Sequence, residues 1–126
     1  MARILIVDDN PTMAEMLSVA LECYGHRTLV ALGGRQALEV IASARADVVL
    51  LDLMMPDIDG FETLHRLRAT PCGQELPVIV VSAREEEDLE QRVALAGGNG
   101  FLSKPVDLHM LTELIADLVV HHSNHV

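Results

Sequence analysis

The chain has 126 residues, half of them hydrophobic, which suits one domain with a single core. Nineteen acidic residues against nine basic ones give a formal net charge of -10, and the aromatic residues are one tyrosine and two phenylalanines. Such a surface repels phosphate backbones and offers little for bases to stack on, so we expect no direct nucleic-acid binding. No apolar stretch approaches the length of a membrane span and no secretory signal is recognisable, so we expect a cytoplasmic protein without membrane attachment.

The first predicted elements are a strand and an amphipathic helix. An apolar run at residues 4–7 ends in Asp8 and Asp9. Asn10 is a good cap for the helix that follows, and Gly25 is a good stop. One apolar stripe of this helix is predicted to face the core, namely Met13, Met16, Leu17, Ala20, Leu21 and Tyr24.

The rest of the chain repeats this alternation of strand and helix. Apolar runs without polar alternation, typical of strands covered on both faces, occur at residues 29–32, 48–51, 78–81 and, more weakly, 101–102. Helices are predicted at residues 35–44, 61–68, 85–96 and 107–120. Right-handed crossovers then predict a doubly wound α/β fold of the flavodoxin-like kind, with a five-stranded parallel sheet in the order 2-1-3-4-5 and helices on both faces.

Carboxylates follow two of these strands. In the order 2-1-3-4-5 the crevice opens between strands 1 and 3, where Asp8, Asp9 and Asp52 end up. Three carboxylates this close repel one another by about 4 kcal/mol per pair at an effective dielectric near 20. Mg²⁺ accepts such oxygen ligands, and we expect Asp9 and Asp52 to bind it directly and Asp8 through water.

Two more polar residues follow strands 4 and 5. Ser82 comes directly after the fourth apolar run, and Lys104 follows the fifth and is the chain's single lysine. A carboxylate nucleophile, a divalent cation, a hydroxyl and an ammonium are the groups that phosphoryl transfer requires.

Four short motifs therefore stand in chain order at the ends of predicted strands 1, 3, 4 and 5: Asp8-Asp9, Asp52, Ser82 and Lys104-Pro105. Together they resemble the receiver domain of two-component response regulators. The resemblance runs from residue 3 to about residue 120, so we take residues 1–120 as the receiver domain and 121–126 as a polar C-terminal tail.

The resemblance implies a function and a partner. Asp52 would accept a phosphoryl group from a sensor histidine kinase or a histidine phosphotransfer protein, and the resulting switch would control a downstream effector domain or protein. The chain would catalyse its own phosphorylation and dephosphorylation without turning over other substrates. Mg²⁺ would be held by Asp8, Asp9, Asp52 and the backbone carbonyl of Met54.

The resemblance also implies roles for other residues. Ser82 and Lys104 would bind phosphoryl oxygens, and the peptide bond before Pro105 would be cis. Phe101 matches the aromatic switch residue whose rotamer follows Ser82, although a plain core phenylalanine is an equal alternative.

Met54 and Arg84 stand at positions that tune acyl-phosphate lifetime in this family. We hypothesise that their side chains shield the phosphoryl group and slow its hydrolysis. The alternative is that both residues are solvated at the rim of the site.

Two other functions compete with this interpretation. One is a phosphorylation-independent protein-interaction module, against which the complete set of site residues argues. The other is an aspartyl phosphatase of the haloacid-dehalogenase kind, which needs an Asp where Met54 stands.

Three further motifs receive structural interpretations. Asp57 and Asp59 suit a turn better than a calcium loop, because Met55 stands where the loop needs an oxygen ligand. Residues 97–100 suit a loop rather than a phosphate cradle. The histidines of residues 121–126 suit a frayed tail rather than a metal site.

Overall fold

A computed structural model describes residues 2–84 and 86–124, and over this part five parallel strands alternate with five α-helices. The elements are β1 (Arg3–Val7), α1 (Pro11–Cys23), β2 (Arg27–Ala31), α2 (Gly34–Ser43), β3 (Val48–Asp52), α3 (Gly60–Arg68), β4 (Val78–Ser82), α4 (Leu89–Leu95), β5 (Gly100–Ser103) and α5 (Leu108–Asn124). The strand order is β2-β1-β3-β4-β5, which confirms the predicted fold. Among the described helices none is both long and apolar enough to cross a membrane.

The sheet separates two hydrophobic layers. Side chains of successive strand residues point to opposite faces. In β1, Leu5 and Val7 therefore pack with the helices α2, α3 and α4, whereas Ile4 and Ile6 pack with α1 and α5. Because β3 and β4 are buried along their whole length, their side chains on both faces must be apolar until the strand ends.

The predicted apolar stripe of α1 is partly wrong. The buried face consists of Ala14, Leu17 and Leu21, while Met16 and Tyr24 are exposed. The two sets lie on neighbouring rows of the helix surface, and only one row can contact a sheet at a time. Asn10 does cap the helix, because its side-chain oxygen accepts hydrogen bonds from the backbone N–H groups of Thr12 and Met13.

Two predicted helix ends are also shifted. Helix α4 begins at Leu89 rather than at residue 85. Glu86 lies before the helix, where its carboxylate forms ion pairs with Arg84 and Arg92. Helix α5 continues to Asn124, beyond the predicted end at residue 120. The side chains of residues 121–126, which include the tail histidines, lie outside the described part.

Polar residues complete backbone hydrogen bonds at the edge of the sheet where strands begin. Three residues that directly precede a strand form what we call the amino edge: His26, Asp47 and Asn99. They accept hydrogen bonds from the backbone N–H groups of Ala2 (3.1 Å), Arg3 (2.8 Å) and Val78 (2.8 Å), respectively.

Arg68, at the end of α3, completes the amino edge. Its guanidinium donates to the carbonyl oxygens of Gly73, Leu76 and Gly97 at 2.7, 2.7 and 2.6 Å and to Asn99 Oδ1 at 3.0 Å. This one side chain therefore joins the end of α3, the start of β4 and the loop before β5.

Candidate functional site

The opposite edge of the sheet, where strands end, gathers the polar residues predicted to form the site. We call Asp8, Asp52, Ser82 and Lys104 the carboxyl edge. Asp8, Asp52 and Ser82 are 3%, 6% and 0% exposed, although each carries a polar side chain. Asp9 is exposed and Lys104 is partly buried. Buried polar groups require partners, so the arrangement among them decides what the site can do.

The three aspartates form a carboxylate cluster. One oxygen of each of Asp8, Asp9 and Asp52 lies within 4.8 Å of the others. The Lys104 ammonium donates to both buried members, at 3.2 Å to Asp52 Oδ2 and 3.4 Å to Asp8 Oδ2. One ammonium thus contacts two of the three carboxyl groups, and acidic groups outnumber basic ones in the cluster.

Burial and neighbouring charges shift the acidity of these groups. Burial raises the pKa of the Asp52 carboxyl above its ordinary value, and the charge of Asp8 adds to that. The Met54 backbone N–H and the Lys104 ammonium act in the opposite direction but do not outweigh burial. Burial also disfavours the charged form of Lys104, yet its hydrogen bonds to Asp52 and Asp8 outweigh that and raise the pKa of Lys104.

The backbone around Asp52 is held by close packing. Asp52 Oδ1 accepts the backbone N–H of Met54 at 3.2 Å, so the chain turns directly after β3. Gly60 packs onto this turn, where a Cβ would lie 2.7 Å from the Asp52 carbonyl oxygen and 2.6 Å from the Leu53 Cα. Only a glycine lets helix α3 start this close to the aspartate.

Strands β4 and β5 supply the other wall of the site. Ser82 Oγ accepts the backbone N–H of Arg84 at 3.0 Å, and the Lys104 N–H donates to the Ser82 carbonyl oxygen at 2.9 Å. The peptide bond between Lys104 and Pro105 is cis, the isomer expected from the resemblance. Ser82 and Lys104 are therefore linked through the backbone at the carboxyl ends of neighbouring strands.

The predicted switch and tuning residues lie in β5 and in the turns that follow β3 and β4. Phe101 is half-buried against the hydrophobic layer under α2, α3 and α4. Met54 exposes 58% of its surface, and Arg84 is partly buried. All three predicted roles concern a phosphorylated state and remain predictions.

The residues present suit a hard divalent cation. The cluster offers one carboxylate oxygen from each of three aspartates within 4.8 Å of one another, and Lys104 contacts two of the three. Three carboxylates facing one ammonium accept further positive charge, and oxygen donors of this kind are the ligands Mg²⁺ prefers.

Asp57 and Asp59 have structural partners. The Asp57 carboxylate accepts the backbone N–H groups of Gly34 and Arg35, at 3.3 and 3.2 Å, at the start of α2. Asp59 caps α3 by accepting the Glu62 N–H at 2.8 Å. Gly97, with φ of 102°, is at a turn of left-handed conformation before β5. These contacts support the turn and loop interpretations of both segments.

Sequence reasoning missed a chain of contacts beside Ser82. Glu86 forms ion pairs with Arg84 and Arg92, and the Arg92 guanidinium carbon lies 4.9 Å from the centre of the Phe61 ring. The hydrogen bond from Arg84 holds the pKa of the Glu86 carboxyl below its ordinary value, with help from Arg92. The one sequence signal was a run of acids between two arginines, which is more often a solvated surface.

Comparisons with known proteins agree with this geometry. A family model described as the response regulator receiver domain matches residues 4–116. The chain is 43% identical over 111 residues to the response regulator MprA of Mycolicibacterium vanbaalenii, covering 86% of this chain and 46% of MprA. It is 36% identical over 115 residues to protein PilH of Pseudomonas aeruginosa, covering 91% of this chain and 95% of PilH. The chain thus spans about half the length of the first relative and nearly all of the second.

A solved structure gives the same result. The receiver domain of sensor histidine kinase PA1611 from Pseudomonas aeruginosa, solved with a magnesium ion coordinated in its active-site cleft, superposes with a TM-score of 0.85. It is 27% identical, and the match covers 94% of this chain and 97% of that one.

Proposed function

Because the chain belongs to the receiver-domain family of two-component response regulators, we propose that Asp52 accepts a phosphoryl group from a phosphohistidine. The donor would be a sensor histidine kinase or a histidine phosphotransfer protein. The observation that carries the proposal is the buried Asp52 carboxylate, held 3.2 Å from the Lys104 ammonium beside two further aspartates. The end of strand β3 and the turn onto which Gly60 packs hold the Asp52 carboxylate in place.

The transfer requires positioning more than covalent chemistry. An Asp52 carboxylate oxygen attacks phosphorus, an oxygen–phosphorus bond forms, and the nitrogen–phosphorus bond of the donor breaks with its electron pair returning to the imidazole. Lys104 and Ser82 would bind the equatorial phosphoryl oxygens. Lys104 would exchange one of its carboxylate partners for a phosphoryl oxygen, and Ser82 would turn its hydroxyl hydrogen toward the phosphoryl group.

The carboxylate cluster supports Mg²⁺ as the cofactor. Asp8, Asp9, Asp52 and the backbone carbonyl of Met54 would hold it, and when bound it would supply positive charge to the phosphoryl oxygens. Without such charge, a phosphoryl dianion next to Asp8 and Asp9 would be repelled.

Phosphorylation would then change the surface that partners recognise. Ser82 would follow the phosphoryl group, and Phe101, one strand over, would repack. Because Phe101 lacks a hydroxyl, its two positions would differ only in packing and desolvation. To invert a 1:99 population, phosphorylation must favour the active state by roughly 5.5 kcal/mol.

The proposal extends to location and organisation. We take residues 1–120 as the switch, acting in the cytoplasm on a downstream effector domain or protein. Met54 and Arg84 would shield the phosphoryl group from water. A Met54→Ala, Arg84→Ala double variant that kept the parent dephosphorylation rate would contradict that role.

One experiment tests the central proposal. The protein is incubated with Mg²⁺ and acetyl phosphate, and intact mass is measured against Asp52→Asn and against Asp117→Asn, an exposed aspartate on α5. We expect the mass to rise by one phosphoryl group in the parent and in Asp117→Asn but not in Asp52→Asn. No increase in the parent would favour a phosphorylation-independent interaction module, and repeated turnover of small phosphomonoesters would favour a phosphatase.

A further inference from the structure

A chain of side-chain contacts leads away from the site through the loop between β4 and α4. Glu86 Oε1 accepts Arg84 Nε at 2.7 Å and also contacts Arg84 Nη2, while Glu86 Oε2 accepts Arg92 Nη1 at 2.6 Å. Arg92 in turn lies over the Phe61 ring of α3 at 4.9 Å. Both oxygens of one carboxylate are therefore engaged by two different arginines.

Arg84 is tied to the site at its backbone. Its N–H donates to Ser82 Oγ at 3.0 Å, the hydroxyl that would contact a phosphoryl oxygen. The guanidinium at the other end of the residue is held by Glu86. Arg84 thus connects the phosphoryl-binding hydroxyl with an acidic residue outside the site.

We propose that Glu86 is a positioning residue that sets how much of the time the Arg84 guanidinium can reach the phosphoryl group on Asp52. Arg92, itself held on Phe61, keeps Glu86 in the place where it binds Arg84. This inference rests on the proposed function, because it assumes that Asp52 is phosphorylated. It adds a residue, Glu86, whose effect on the phosphoryl group is indirect.

The chemistry is a competition between two anions for one guanidinium. Carboxylate and phosphoryl oxygens both match the planar donors of arginine, so binding to one excludes the same donors from the other. The Arg84 and Glu86 side chains are 31% and 39% exposed, which makes their ion pair weak. A weak pair adjusts the occupancy of two positions and does not lock either one.

Glu86 and Arg92 should differ in how strongly they affect the position of the Arg84 guanidinium. Glu86 contacts Arg84 directly, whereas Arg92 acts only through Glu86. Losing the Glu86 charge should therefore free Arg84 to a greater extent than losing Arg92.

The test measures the half-life of the acyl phosphate in Glu86→Gln, Arg92→Gln and the control Glu87→Gln. Glu87 is an exposed neighbouring acid and forms no side-chain hydrogen bond or ion pair within the described part of the loop. We expect Glu86→Gln to lengthen the half-life about two- to fivefold, Arg92→Gln to lengthen it less, and Glu87→Gln to leave it nearly unchanged. The chains are phosphorylated with acetyl phosphate, and decay is followed by intact mass after the donor is removed.

A double-mutant cycle separates positioning from a general change of charge. In an Arg84→Ala background, Glu86→Gln should leave the half-life unchanged, because no guanidinium remains to be released. The same lengthening with and without Arg84 would overturn the inference, as would a shortened or unchanged half-life in Glu86→Gln.

A second readout does not depend on phosphorylation. The Arg84 Nε–H resonance should move in Glu86→Gln and stay in place in Glu87→Gln, and a resonance unaffected by Glu86→Gln would overturn the contact on which the inference rests. A parent chain that takes up no phosphoryl group would overturn the proposed function and this inference together. A parent chain that is phosphorylated, together with an acyl-phosphate half-life that Glu86→Gln leaves unchanged, would overturn this inference alone.

Discussion

The two edges of the sheet use polar side chains in opposite ways. At the amino edge, His26, Asp47 and Asn99 each accept a backbone N–H from a neighbouring strand segment, and Arg68 donates to three carbonyl oxygens. At the carboxyl edge, the side chains of Asp8, Asp52 and Lys104 face one another.

The difference follows from what each kind of partner allows. Backbone partners are neutral and fixed, so a charged side chain bonded only to neutral groups contributes to stability and is not free for a ligand. Charged side chains that face one another remain unbalanced, and an added phosphoryl group or cation can exchange with them. A charged residue at a strand end is therefore structural when all of its partners are neutral, and it is available for chemistry when other charged groups are among them.

The largest effect should come from removing the amino-edge guanidinium. Arg68→Met leaves three carbonyl oxygens without their donor, and we expect a loss of about 2–4 kcal/mol in the free energy of unfolding. Arg66→Met on the same helix removes only an exposed pair with Glu62 and should cost less than about 0.5 kcal/mol. Urea unfolding of both variants measures this, and equal losses would contradict the structural role of the amino-edge guanidinium.

A smaller effect is expected at Asn99. Its Oδ1 accepts both the Val78 N–H and Arg68 Nη2, so Asn99→Ala should cost about 1–2 kcal/mol. Asn99→Asp keeps the acceptor and should be close to the parent in stability. If urea unfolding showed equal losses of stability for both substitutions, the missing hydrogen-bond acceptor would not explain the effect of Asn99→Ala.

At the carboxyl edge, removing a charged side chain should raise the free energy of unfolding rather than lower it. Asp8→Asn keeps an acceptor for the Asn10 N–H and removes one negative charge beside Asp52, while Lys104 retains Asp52 as its partner. In Mg²⁺-free buffer we expect the free energy of unfolding to rise by about 0.5–1 kcal/mol. Added Mg²⁺ should raise the melting temperature of the parent and of Asp117→Asn far more than that of Asp8→Asn.

The smallest effect is a pH dependence at the amino edge. Burial lowers the pKa of His26 below its usual 6.5, and its Nδ1 accepts the Ala2 N–H only while that nitrogen is unprotonated. At pH values between the folded and the unfolded pKa of His26, the unfolded chain binds more protons than the folded chain. The stabilisation that comes from neutral His26 is therefore complete above about pH 6.5, and it is lost as the pH falls through the folded pKa. The difference in unfolding free energy between the parent and His26→Gln should therefore shrink from pH 7.5 to pH 5.5. His65→Gln, on the exposed side of α3, should show no such trend.

Much of the fold could be predicted because its signals are local. Unbroken apolar runs marked the buried strands, and the alternation with helices restricted the sheet to one familiar order. The aspartates, Ser82 and Lys104 were recognisable because each interrupts or follows such a run. Which row of α1 faces the sheet was not recognisable, since Met16 and Leu17 are both apolar and only the neighbouring surfaces select between them.

Contacts between distant polar residues were also beyond prediction. Arg68 joins carbonyl groups that are separated by up to 29 positions from it, and no local pattern distinguishes it from the exposed Arg66. Glu86 resembled the start of a helix, because acids favour that position. Its arginine partners and the Phe61 ring became visible only in three dimensions.

By itself, the sequence determined the order of elements and the residue types at each strand end, because hydrophobic periodicity and backbone geometry act over a few residues. The tertiary structure decided which of those polar residues meet one another and which meet the backbone. That choice depends on how strands pair and helices pack across the whole chain, and it separates the buried Asp52 beside Lys104 from Asp47, which only completes a strand.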